Sequence, residues 1–371
     1  VNTVHSRARR ALAGGFAAAL GVAALAGCNA NSSDDKGSGG SGASGAGTTI
    51  ALLLPESKTT RYEAFDKPLF EKKVAELCSS CKVSYYNADQ DEAKQSQQVD
   101  AAITAGAKVL VLDPVNGDGA GGMVTAARNA KIPVIAYDRF IKGADYYMSF
   151  DNEQVGKIQG KALVDALGGK GNILMLNGSP TDPNAAQFKA GAHSVIDGSG
   201  IKVLAEFDNP DWSPDKAQQF VNDQLSRTKP ADIQGVYAAN DGQAGGVVAA
   251  LTGAGVPANG LPPITGQDAE LAAIQRIVAG QQSMTVYKPI AIEANTAAEV
   301  AVAVAGGKTA PETATTGIKQ TKYQDVASYI FTPIAVTKAN VASTVLADKF
   351  YTADQVCTPQ YKDACEGAGI K

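Results

Sequence analysis

From Thr48 onward, short apolar runs alternate with amphipathic stretches of about 12–18 residues, and this alternation leaves the chain few folds to choose from. The apolar runs cover 50–54, 83–86, 109–112, 134–137, 146–150, 173–176, 203–207, 235–238, 263–266 and 284–287. Several are apolar at every position, as strands are when both faces of their sheet are covered. The intervening stretches carry helical periodicity. In 63–77, Phe65, Leu69, Phe70, Val74 and Leu77 fall mostly on one face, and 90–105, 119–130, 154–167, 184–196, 214–225, 244–254, 270–279 and 290–305 behave alike. Asp89 and Ser213-Pro214 are expected helix starts. Strands alternating with helices imply parallel βαβ units. The runs fall into two sets of about five, before and after residue 152, which predicts two similar three-layer α/β/α domains with parallel sheets. A single eight-fold barrel is the alternative arrangement.

The ends of the chain stand outside this pattern. Arg7, Arg9 and Arg10 precede an apolar stretch, 11–26, that closes on Leu25-Ala26-Gly27-Cys28. Positive flank, length and small residues before a cysteine are those of a bacterial lipoprotein signal, with Cys28 the lipidated residue. With Val1 at its start the chain reads as an unprocessed precursor from an alternative start codon. Segment 28–47 is rich in Ser, Gly, Asn and Asp and reads as a flexible tether. The expected location is therefore extracytoplasmic, on the outer face of the cell membrane. Without the first 27 residues the chain has 30 basic and 37 acidic residues, so a polyanionic partner such as nucleic acid is not expected. Outside the cytoplasm, the four remaining cysteines, Cys78, Cys81, Cys357 and Cys365, favour disulfides, with the local pairs the most economical of three possible pairings. A redox role for the Cys78–Cys81 pair fits less well, because it closes a helical stretch rather than opening one.

Only two histidines, His5 and His193, are present, so a His-rich metal site is excluded and a nucleophilic triad would rest on His193 alone. No dinucleotide-binding or P-loop motif follows a strand, and the glycine-rich run 117–122 lacks the P-loop Lys. No nucleophile elbow is present. No cofactor, metal or catalytic residue is expected. Asp138 and Asp268 would be the acid and base of a glycosidase reading.

In parallel sheets, ligands bind beyond the carboxyl ends of the strands. Here those ends carry Asp138-Arg139, Asp151-Asn152, Asn177 followed by Asp182 and Asn184, Asn240-Asp241, Gln267-Asp268 and Lys288. Any one of them is explained as well by a helix cap or turn. Six ends behaving alike supply the mixture of donors and acceptors that sugar hydroxyls require. Trp212 or Tyr62 would cover the apolar face of the ring.

These residues, in the runs 136–139, 149–152, 178–184, 239–241, 266–268 and 284–289, carry a resemblance. From about residue 48 to 350 the chain resembles the type I periplasmic sugar-binding proteins, and within them the D-xylose-binding components of xylose ABC transporters. The resemblance implies sugar contacts from Arg61, Asp138, Arg139, Asp182, Asn184, Asn240, Asp268 and Lys288, with Tyr62 and Trp212 on the two ring faces. Tyr62 stands where the family has Trp, the spacing after it is one residue longer, and Pro183 replaces a polar residue. The resemblance also implies a ligand cleft between the two domains and three chain crossings, near 152–154, 287–289 and 329–333. The expected divisions are a signal at 1–27, a tether at 28–47, a first domain of 48–152 plus about 289–330, a second of 153–288 plus about 333–355, and a tail at 356–371 holding a Cys pair. A monomer that delivers a pentose, D-xylose, to an ABC permease is the function implied. A sugar sensor serving a membrane receptor or kinase is the second reading.

Overall fold

The computed structural model describes residues 47–370; the signal segment, Cys28 and the tether up to residue 46 lie outside the described residues. The first half of the fold is built from β1 (Thr49–Leu54), α1 (Lys67–Leu77), β2 (Lys82–Asn87), α2 (Glu92–Thr104), β3 (Val109–Leu112), α3 (Gly121–Asn129), β4 (Val134–Tyr137) and β5 (Tyr146–Phe150). The second half comprises α4 (Asn152–Ala166), β6 (Lys170–Asn177), α5 (Pro183–Ile196), β7 (Gly200–Asp208), α6 (Pro214–Leu225), β8 (Gly235–Ala238), α7 (Asp241–Gly253), α8 (Leu271–Val278) and β9 (Thr285–Tyr287). The chain then forms α9 (Ile290–Ala305), β10 (Thr321–Tyr323), β11 (Val326–Phe331), β12 (Ile334–Val336) and the short helices α10 (Ala353–Val356) and α11 (Lys362–Glu366).

The first sheet runs β10-β11-β5-β4-β3-β1-β2 and is parallel except at its β10 edge. Side chains of a strand alternate between faces, and β1 shows the consequence. Ile50, Leu52 and Leu54 pack with Phe70 and Val74 of α1 and with α9, while Ala51 and Leu53 pack with Val99 of α2 and Met123 of α3. Both faces are therefore covered by apolar helix stripes, and the continuous apolar runs are explained. The second sheet has β6 at its centre, flanked by β7 and β8. Its Ile173 and Met175 face α4 and α5, and its Leu174 and Leu176 face α6 and α7. A bridge from Val236 to Ile264 leads to the antiparallel pair β9–β12.

The chain passes between the halves three times. After β5 it enters α4, which packs on α5; after β9 it enters α9, which returns to α1; after β11 it reaches β12, which pairs with β9. The C-terminal segment packs Tyr351, Val356 and Cys365 against α8 and Tyr287, and Phe350 stacks on Phe65 with ring centroids 4.0 Å apart. Disulfides join Cys78 to Cys81 and Cys357 to Cys365.

Several local expectations are corrected. There is no closed barrel among the described residues but open sheets of seven, three and two strands. The run 263–266 is a bridge rather than a strand. Strands β10 and β12 have only three residues each and two exposed positions apiece, and the apolar run of β11 is interrupted by Ser328, so none gives a continuous apolar signal. The stretch 63–77 divides into a π-helical turn over Tyr62–Asp66 and α1. Asp91, not Asp89, caps α2, because Asp89 and Gln90 both take positive φ in the turn before it. Ser213 occupies the cap position of α6 without a side-chain bond.

Gly156 sets how closely α4 and α5 approach. A Cβ there would stand 1.9 Å from the carbonyl oxygen of Phe188, so the two helices touch backbone to backbone. Gly156→Ala must push α5, and Phe188 with it, outward. We expect a loss of about 1–3 kcal/mol, seen as a lower urea midpoint at unchanged slope; an unchanged midpoint would contradict this packing.

Candidate functional site

The carboxyl ends of both sets of strands face one cavity, and all ten residues expected at the site line it. Thr59, Phe188 and Gln267 line it as well. Phe188 lies one helical turn after Asn184 on α5, so the two share a face.

On the first side, β4 ends in a three-residue turn. Asp138 takes φ +56°, and the Arg139 N–H donates to the Tyr137 carbonyl at 2.6 Å. A left-handed turn at a non-glycine residue costs roughly 1–3 kcal/mol and persists where the surroundings over-determine it. Here it allows two successive residues to enter the cavity. Arg61 lies beside them. Its Nε and Nη2 donate to the two carboxylate oxygens of Asp66 at 3.0 and 2.6 Å, Nη2 also reaches Glu293 at 2.8 Å, and Nη1 lies 3.5 Å from Asp138. The Tyr62 hydroxyl donates to Asp138 and accepts from Arg139, each at 3.3 Å.

On the second side, Asp182 has two tasks. Its Oδ1 caps α5 by accepting from the Asn184 N–H at 2.8 Å. Its Oδ2 accepts from Trp212 Nε1 at 3.2 Å and pairs with Arg139 Nε at 2.9 Å. Asn240 likewise caps α7 through Oδ1 and keeps its amide N–H₂ available. Both residues therefore cap a helix and line the cavity at once. Asn184 Nδ2 donates to the Asp138 carbonyl at 3.1 Å. Trp212 takes φ +60°, and a Cβ on Gly178 would stand 2.0 Å from its ring, so only glycine there leaves the indole its seat. Asp268, at φ +89°, sits 3.4 Å from Lys288 Nζ, which lies over the rings of Phe150 and Phe188 at 5.9 and 5.2 Å.

The cations inside this cavity already have partners. Burial opposes the charge on Arg61, but Asp66, Asp138 and Glu293 outweigh it and hold the guanidinium well above its ordinary pKa. Burial likewise opposes ionisation of Asp138, and Arg61, Lys288 and Arg139 outweigh it, so its pKa lies below the usual range. Asp138 is thus an ionised acceptor rather than a proton donor. Burial raises Asp182 despite Arg139. An ionic ligand would bring uncompensated charge into this low-dielectric space, whereas a neutral polar one would not.

Residues 50–309 match the model for the periplasmic binding protein domain. The chain belongs to the periplasmic binding protein family. It is 39% identical over 315 residues to the D-xylose-binding periplasmic protein of Escherichia coli, covering 83% of this chain and 92% of that one. It is 36% identical to the multiple sugar-binding periplasmic receptor ChvE of Rhizobium radiobacter, with 83% and 92% covered. A solute-binding protein of an ABC transporter from Clostridium phytofermentans, solved with bound β-D-glucose, superposes with a TM-score of 0.73 at 28% identity, covering 83% of this chain and all of that one. The fold is the type I fold of this family, and its members are binding proteins rather than enzymes.

One buried carboxyl ties the two sides together. Glu270 accepts from the Thr60 N–H at 3.2 Å, and burial, with Asp268 nearby, pushes its pKa up to about 7. Its native pKa exceeds its unfolded one, so the native state holds the extra proton between about pH 4.5 and 7 and stability declines as pH rises through that window. Glu270→Gln is expected to remove up to about 3 kcal/mol of that decline, measured by urea unfolding at pH 5 and pH 7.5. An unaltered pH dependence would refute the assignment.

Proposed function

We propose that this chain is an extracytoplasmic, lipid-anchored solute-binding protein that captures a monosaccharide, D-xylose, between its two domains and delivers it to an ABC permease. The domains in this reading are 48–152 with about 289–330, and 153–288 with about 333–355, tethered through Cys28. The observation that carries it is the cavity's chemistry. Every cation lining it has an internal counter-ion, and hydrogen-bonding groups remain to be used: the Asn240 amide, the unpartnered Oε1 of Gln267 and Oδ1 of Asn184. Three aromatic side chains, Tyr62, Phe188 and Trp212, share the same walls. A small neutral polyol with one apolar face meets these demands, since each hydroxyl donates and accepts. The 39% identity to a D-xylose-binding protein favours xylose among such polyols.

The role of each lining residue belongs to this proposal. Asp138, Arg61 and Arg139 would bond hydroxyls from one side, and Asp182, Asn184, Asn240, Asp268 and Lys288 from the other. Cross-cleft pairs such as Arg139–Asp182 and Lys58–Asp211 would form as the domains close by a hinge motion. Calorimetry against xylose, arabinose, ribose, glucose and galactose tests this. D-xylose should bind most tightly, and no binding below about 100 μM by any of them would sink the sugar reading. Asp138→Asn keeps a residue that tolerates positive φ and should weaken binding roughly tenfold or more; unchanged affinity would remove Asp138 from the site.

A further inference from the structure

Arg139 has two carboxylates competing for one nitrogen. Its Nε lies 2.9 Å from Asp182, at the start of α5 across the cleft, and 3.4 Å from Asp113, which comes directly after β3 on Arg139's own side. Asp113 is fully buried, does not line the cavity, and has no hydrogen-bond partner on either carboxylate oxygen. Its backbone is fixed, because its N–H donates to the Leu53 carbonyl at 2.9 Å and its carbonyl accepts from Gln95 Nε2 at 2.7 Å. An ionised carboxylate cannot be held this way cheaply. Burial drives Asp113 well above the usual carboxylate range; Arg139 opposes this, Asp138 and Asp182 reinforce it, and Arg61 opposes it. The Tyr62 hydroxyl also lies in its field, and the buried Glu56 carboxyl shares Arg139 with it. With the cleft closed, no donor supports an ionised Asp113, and burial favours its neutral form.

When the cleft opens, Asp182 is carried away from Arg139, and Asp113 is the carboxyl left within reach. We infer that Asp113 and Asp182 are alternative counter-ions of Arg139, exchanged as the cleft moves, so that closure transfers Arg139 to Asp182 and adds one proton from solvent to Asp113. The only bond formed is the O–H of Asp113; the guanidinium stays charged throughout. Asp113 is thus a positioning residue that favours the open state and links ligand capture to proton uptake. The inference rests on the closing motion of the proposed function.

The test is calorimetry of D-xylose binding at pH 6 to 7 in two buffers of different ionisation enthalpy. Wild type should take up close to one proton per sugar through Asp113, beyond any share lost in Glu270→Gln. Asp113→Asn should abolish that uptake, bind sugar about fivefold tighter or more, and release it more slowly. If Asp113 merely braces Arg139, the variant will instead bind more weakly with proton uptake unchanged, and the inference fails. Asp182→Asn leaves Arg139 with Asp113 in both states and should also lose the uptake; persistence there overturns the exchange even if Asp113→Asn does not fold. If no sugar binds wild type, the proposed function fails on its own, and scattering from the free protein decides this one. The radius of gyration should rise from pH 5 to 8 in wild type and not in Asp113→Asn, and identical curves would overturn the inference.

Discussion

The fold is organised around a small set of charges that have been taken out of water. Arg61, Arg139 and Lys288 are almost fully buried, and a buried charge is tolerated only beside a counter-charge. Asp66, Asp138, Asp182, Asp268 and Glu293 answer that requirement from separate elements, so the position of each strand end and helix start around the cavity is tied to the others. The Arg139–Asp182 pair goes further, because its two members belong to opposite sides of the cleft. The same interaction that neutralises the cavity also bridges it.

Local backbone strain accompanies this arrangement. Asp138, Trp212 and Asp268 all take positive φ, an uncommon conformation for non-glycine residues. Each sits where a strand or loop must turn sharply and still deliver a side chain inward. The close approaches at Gly156 and Gly178 serve the same end, since one positions the helix that carries Phe188 and the other gives the Trp212 ring its space. The aromatic walls are thus determined by residues that have no side chains of their own.

Much of this was legible in the sequence. Strands covered on both faces must be apolar throughout, so the alternation from residue 48 exposed both sheets. Polar residues directly after those runs marked the cavity, because strand ends in one sheet converge in space. What stayed hidden depends on distance along the chain. Glu293 meets Arg61 across 232 residues, and nothing local distinguishes it from an ordinary acid at the start of α9. Asp113 directly follows a strand-like run and Phe188 lies inside a helical stretch, and nothing local marks either one. Strands β10 and β12 were missed because they are short and largely exposed, and β11 because Ser328 breaks its apolar run. Asp89 and Asp91 are equivalent as capping residues by composition; only the backbone turn between them selects one.

The central claim is that a neutral sugar enters a cavity walled by Trp212 and closes it. Trp212 is the chain's one tryptophan, so its emission reports on that wall alone. Titration with D-xylose should produce a saturable change in emission with the same midpoint as the calorimetric curve. A silent titration under conditions where calorimetry shows binding would place the sugar elsewhere and contradict the account.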